Sequence, residues 1–141
     1  MKTENEFNAY LSKKFRATNA TAVLKVCDKI TPGIPDFLIW RGTRSLAIES
    51  KFVAKLPKKR TAQLLKHTFS GPQLTMLETL SIGGAITYGL VGIGETKLMY
   101  LIPRDKIPMC GNWDVEGFFH QTGTTVYRFD EADVILNQVL P

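Results

Sequence analysis

The chain has 141 residues, 44% of them apolar and 22% charged, with a formal net charge of +5. That is enough for one domain with a core of its own and too little for two, and the mixture is that of an ordinary globular protein rather than a disordered one. No apolar run reaches the roughly 18 residues of a membrane-spanning helix. The opening Met1-Lys2-Thr3-Glu4-Asn5-Glu6 lacks the basic-then-apolar pattern of a secretory leader, so a cytoplasmic protein is expected. Cys27 and Cys110 match no zinc or redox spacing, and reduced thiols are the default.

The charge is unevenly spread. Residues 1–66 hold 14 Lys and Arg against 5 Asp and Glu, whereas residues 67–141 hold 4 against 8. A basic first half suggests a polyanionic partner, nucleic acid being the commonest.

In chain order, Thr3-Glu4-Asn5-Glu6 has the form of a capping box, and Phe7, Tyr10, Leu11 and Phe15 follow at helical spacing. A helix is expected over residues 4–17, with Lys13, Lys14 and Arg16 on its polar side. Glu6 has two readings, a backbone cap or an additional acid beside the segments that follow. Val23–Cys27 reads as a first strand, and Thr31-Pro32-Gly33 as a turn. Residues 36–41 and 44–52 are rich in strand formers and flank Arg41-Gly42-Thr43-Arg44, with glycine where a two-residue type II′ hairpin wants it. If Gly42 and Thr43 form that turn, 38 faces 47 and Asp36 faces Glu49. Strand alternation then puts Lys51 on the same face as Glu49. Phe37-Leu38-Ile39-Trp40 is apolar on both faces, which places it inside a sheet.

Val53–His67 breaks the pattern. Lys55, Lys58, Lys59 and Arg60 around Pro57, with Lys66 further on, suit a mobile loop that holds phosphates. Ser70-Gly71-Pro72-Gln73 opens a second helix through another capping box. Leu74, Leu77 and Leu80 form its stripe, and Gly83-Gly84 ends it. Gln73 either points back to the cap or forward to the hairpin. Residues 86–93 and 98–102 are two more strands, the first able to return parallel after the helix. Beyond residue 104, a strand near 124–129 and a helix near 130–136 are expected. The aromatic-containing segments between look irregular, and His120 has no partner motif that would make it a catalytic base.

Two carboxylates set opposite one another, their Cβ atoms about 5 Å apart, repel unless a proton or a cation sits between them. Asp36 and Glu49, with the Ser50 carbonyl nearby, can hold Mg²⁺, which takes oxygen ligands and substrate phosphate. Lys51 can then position a water or stabilise developing charge. Phosphodiester hydrolysis uses all of these parts.

Pro35-Asp36 followed by Glu49-Ser50-Lys51 resembles the PD-(D/E)XK signature of the restriction-endonuclease-like superfamily. Together with Gly33-Ile34-Pro35-Asp36 and Ser70-Gly71-Pro72-Gln73, it is similar to the small VRR-NUC domains and to their close relatives the archaeal Holliday-junction resolvases, which share the same overall plan and are what the chain is most like in function. The resemblance covers residues 3 to about 93. It implies an α/β fold with an α-β-β-β-α-β core, a mixed central sheet flanked by helices, in one domain over residues 1–141. The core would span about 3–103, with 104–141 as a C-terminal extension of unassigned role. It also implies dependence on Mg²⁺ or Mn²⁺, with Glu6 completing the metal site and Gln73 raised to a site residue. The partner would be branched DNA such as a four-way junction, cut by a homodimer of bacterial or phage origin. Ser50 departs from the family, which usually has an apolar residue there, a difference assigned to packing rather than chemistry. The alternatives are a non-catalytic DNA-binding module on the same fold and a restriction-type enzyme reading a short sequence.

Overall fold

A computed structural model describes residues 1–19, 21–26, 31–65, 69–120 and 124–141. Cys27 and Lys66 lie outside the described residues. The order is α1 (Glu4–Arg16), β1 (Ala22–Lys25), β2 (Phe37–Arg41), β3 (Arg44–Val53), α2 (Gly71–Ile82), β4 (Ile86–Ile93) and β5 (Leu98–Pro103). A 3-10 segment (Arg104–Asn112), α3 (Val115–Phe119), β6 (Thr125–Arg128) and α4 (Ala132–Val139) follow. The first six elements are α-β-β-β-α-β, and the sheet runs β1-β2-β3-β4-β5-β6 in spatial order. Every pairing is antiparallel except β3 with β4, which the intervening α2 allows to run parallel.

The hairpin register is the expected one: Arg41 pairs with Arg44, Leu38 with Ala47, Phe37 with Ile48. Gly42 has φ 61°, as the first central residue of a II′ turn requires. Alternation then sorts the sheet into two faces. Phe37, Ile39, Leu46 and Ile48 pack with Phe7, Leu11 and Phe15 of α1 and with Ile135 and Leu136 of α4. Ala47, Val91 and Ile102 lie in the opposite core, with Leu77 of α2, Ile107 and Phe118. A 13-residue helix is marginal by itself. Burial of its two phenylalanines, worth roughly 1.5–3 kcal/mol each, holds α1 in place.

Two expectations change. As far as residue 65, where the described part of it ends, the segment after β3 is packed against the rest of the chain rather than a mobile loop. Leu64 and Leu65 are buried, Gln63 bridges to Asp114, Val115 N–H donates to the Ala62 carbonyl at 3.1 Å, and Leu64 N–H donates to the Trp113 carbonyl at 3.4 Å. The stretch expected to be irregular is the partner that does this. Its 3-10 segment and α3 carry Ile107, Cys110, Val115 and Phe118 into the core. Strand β2 does lie inside the sheet, but Trp40 remains 41% exposed, at a depression it shares with Leu80 of α2.

Candidate active site

Asp36 is the residue just before β2, at the point where the β2–β3 ladder ends. Its backbone carbonyl accepts from Val26 N–H at 2.9 Å, which ties this end to the segment following β1. Continuing the register by one step sets Asp36 across from Glu49. The two acids are close enough for the charge of Asp36 to act on Glu49. Glu49 is 3% exposed, and burial first, then the charge of Asp36, pushes its carboxyl up to about 9, with Lys51 pulling partly the other way. Lys51 Nζ lies 4.0 Å from Glu49 Oε1 and 5.6 Å from the centre of the Phe69 ring. That ring occupies the space a side chain at position 89 would need, since a Cβ on Gly89, the β4 residue paired with Glu49, would come within 2.9 Å of it.

Gln73 performs both of the tasks between which the sequence left it. Its Oε1 accepts from Ser70 N–H at 2.8 Å, completing the box that starts α2, and its Nε2 donates to Glu49 Oε1 at 2.7 Å. The start of α2 is fixed against the turn before Asp36. Gly33 has φ 82°, and a Cβ there would lie 2.2 Å from the Pro72 carbonyl oxygen.

Ser50 does more than pack. Its N–H and its hydroxyl both reach Asp36 Oδ2, at 2.9 and 2.8 Å, and its hydroxyl also touches Asn8 Oδ1 of α1. Glu49 and Lys51 point toward α2 and Ser50 toward α1. The ladder has ended beside Asp36, so its carboxylate can touch groups from both faces. Main-chain N–H and C=O of one strand residue point to the same neighbour, so the Ser50 carbonyl also faces this open edge.

Glu6 is not brought to the pair. It is exposed and accepts from Lys2 N–H at 2.7 Å. Glu4 is the acid of α1 on that side: its charge makes the smallest of the contributions that raise Glu49, and it lines, with Lys51, Lys55, Pro57 and Gln63, a cleft of about 610 Å³. The signal was present in the helical spacing. Glu4 and Asn8 fall in the stripe of Phe7, Leu11 and Phe15, whereas Glu6 falls outside it.

The expected phosphate-binding residues separate into two groups. Lys55, Lys58, Lys59 and Arg60 are on the segment after β3, with Lys55 in the cleft beside Lys51. Lys13, Lys14 and Arg16 occupy the last turn of α1, about 14–18 Å along the axis from Glu4. There Lys14 lies over the Tyr10 ring and shares a depression with Asp130 and Asp133. His120 is exposed beside Lys58 and Arg60, away from the acid pair.

Divalent metal fits the residues present. Glu49 Oε2 is buried and accepts no hydrogen bond, and it belongs to an acid pair that needs positive charge or a proton between its members. Among the described residues no group of three or more His, Cys, Asp or Glu is placed to hold a metal ion. The donor set is two carboxylates and a carbonyl, which suits an ion that binds through one or two carboxylates and keeps several waters.

No family model matches the chain, and no curated protein does. Among solved structures it is similar to Hjc of Archaeoglobus fulgidus, described as a Holliday junction resolvase from an archaeal hyperthermophile. The identity is 22% over 72% of this chain and 74% of that one, with a TM-score of 0.48. No helix among the described residues is long and apolar enough to cross a membrane.

Proposed function

We propose that this protein is a metal-dependent endonuclease that hydrolyses phosphodiester bonds in DNA, with branched DNA such as the four-way junction as its substrate. The observation that carries this reading is the acid pair of half-buried Asp36 and buried Glu49, with the Lys51 ammonium 4.0 Å from Glu49. A protein that only binds DNA has no use for two carboxylates held together, one of them buried, whose mutual repulsion works against folding.

Asp36, Glu49 and the Ser50 carbonyl would hold Mg²⁺ or Mn²⁺. Such an ion, when bound, activates water, polarises the phosphodiester and offsets charge in the transition state. The chain's own residues supply the rest. Gln73 fixes the orientation of Glu49 through Oε1. Lys51, 12% exposed and backed by Phe69, aims a cation at the face where the scissile phosphate would lie. Lys55, Lys58, Lys59 and Arg60 would take neighbouring phosphates, which positions the strand without reading its sequence.

A second copy of the chain would supply the cut on the opposite strand. Leu24, Trp40 and Ile82 are 51, 41 and 82% exposed, and the pairing of Ala22 with Trp40 and of Leu24 with Leu38 sets the first two on one side of the sheet. That is the side of α2, where Leu80 joins Leu38 and Trp40 around one depression, and we take it as the dimer contact.

The test is cleavage of four-way junctions, flaps and plain duplexes with Mg²⁺ or with EDTA. Metal-dependent incision of junctions that disappears in Asp36→Asn is expected; no incision of any substrate, or full activity in Asp36→Asn, refutes the reading.

A further inference from the structure

We infer that Asn8 and Ser50 are positioning residues that fix the orientation of Asp36 and so decide which of its oxygens is left for the metal; the inference rests on the metal-dependent reading above. Both side chains are buried, Ser50 completely and Asn8 to 5% exposure. Ser50 lies in the middle of the E-x-K strand segment, on the face opposite Glu49 and Lys51, where an apolar side chain would pack without needing partners. A buried hydroxyl and a buried amide are retained at no cost only when their hydrogen bonds are made.

The bonds have a direction that proton counting settles. Ser50 Oγ has one proton and two close neighbours, Asn8 and Asp36 Oδ2. An ionised Asp36 can only accept, so the hydroxyl donates to it. Asn8 must then donate to Ser50 Oγ, which sets the amide with its nitrogen rather than its oxygen toward the serine; the two atoms are interchangeable by rotation of the amide. The order is Asn8 amide to Ser50 hydroxyl to Asp36 Oδ2, with Ser50 N–H as a second donor on that same oxygen.

The consequence falls on the other oxygen. Asp36 stands where the β2–β3 ladder has stopped, so no flanking pair of strands confines its side chain. Two donors on Oδ2 hold the carboxylate in one rotation and leave Oδ1 as the oxygen not committed to Ser50. Helix α1 thereby reaches the acid pair through an amide from beneath the sheet, while Glu6 points to solvent. Such outer hydrogen bonds, which orient a ligand rather than contact the ion, commonly change metal affinity by roughly 10–100-fold when removed.

The experiment is titration of Mn²⁺ into metal-free protein by calorimetry, together with cleavage rate against Mg²⁺ concentration, for wild type, Ser50→Ala and Asn8→Asp. Circular dichroism verifies folding of each. Ser50→Ala is expected to bind Mn²⁺ roughly 10–100-fold more weakly. It should need correspondingly more Mg²⁺ for half-maximal cleavage, with the rate at saturating Mg²⁺ recovering most of its value. Asn8→Asp keeps the volume but cannot donate when ionised, so it should also weaken Mn²⁺ binding. Simple addition of negative charge near a cation gives the opposite sign, and this variant carries the test even if Ser50→Ala does not fold. Unchanged Mn²⁺ affinity in folded Ser50→Ala, or tighter binding by Asn8→Asp, overturns the inference while leaving the nuclease reading intact. Failure of the wild type itself to bind Mn²⁺ overturns both.

Discussion

Gln73 divides its amide between Ser70 and Glu49: the oxygen caps the first turn of α2 and the nitrogen, 2.7 Å from Glu49 Oε1, orients a buried acid. A helix start and an acid on the sheet are thereby fixed by one side chain. Replacing it with alanine removes both bonds, and the cap alone is worth about 0.5–2 kcal/mol. Gln73→Glu keeps the acceptor for Ser70 but loses the donor to Glu49. Both variants should cut junctions at least about tenfold more slowly. Of the two, only Gln73→Ala should lose the cap, so its melting temperature at low pH should fall below that of Gln73→Glu.

The raised Glu49 carboxyl gives metal-free protein a particular pH dependence. Its folded value is about 9 against an ordinary 4.5, so the folded state holds an extra proton between those limits. Stability from this group is fully present below 4.5, declines as pH rises through the window, and is lost above 9, with a slope of up to about 1.4 kcal/mol per pH unit. Urea unfolding at a series of pH values in EDTA measures this, and Glu49→Gln should flatten the curve. Metal binding must displace that proton, so Mn²⁺ affinity should rise with pH over the same range.

Lys51 is a cation aimed at the reaction rather than a ligand. Lys51→Met should lower the cleavage rate by about 10²–10³-fold. Because Lys51 is one of the influences lowering Glu49, the variant should also shift the pH profile of metal binding upward. An unchanged rate at saturating Mg²⁺ counts against its placement in the chemistry.

The extension after β5 braces the basic segment. Phe118 is fully buried against Tyr100 and Trp113, and Val115 N–H is bonded to Ala62. Phe118→Ala should cost about 3–5 kcal/mol. It should also expose Lys55–Arg60 to trypsin sooner than the rest of the chain, as limited proteolysis with mass spectrometry will show.

For the α2-side apolar surface, Ile82→Glu is the direct test. Sedimentation should show wild type as a dimer and the variant as a monomer, with junctions nicked once instead of cut on both strands. A wild type that sediments as a monomer at micromolar concentration removes this surface from the proposal.

The residues themselves determined what depends on neighbours in sequence. The II′ turn at Gly42 set the hairpin register, and that register faced Asp36 with Glu49 and put Lys51 beside them, because strand alternation admits no other arrangement. Both helix starts and the parallel return of β4 followed from equally local signals. Tertiary structure alone decided what depends on where distant segments meet. Glu4 rather than Glu6 faces the pair because packing of Phe7, Leu11 and Phe15 fixed the rotation of α1. Ser50 bonds to Asp36 because a ladder that stops one residue early lets a carboxylate reach around the sheet edge. The basic segment is held still because Trp113 and Val115, some fifty residues away, supply the backbone partners it lacks locally.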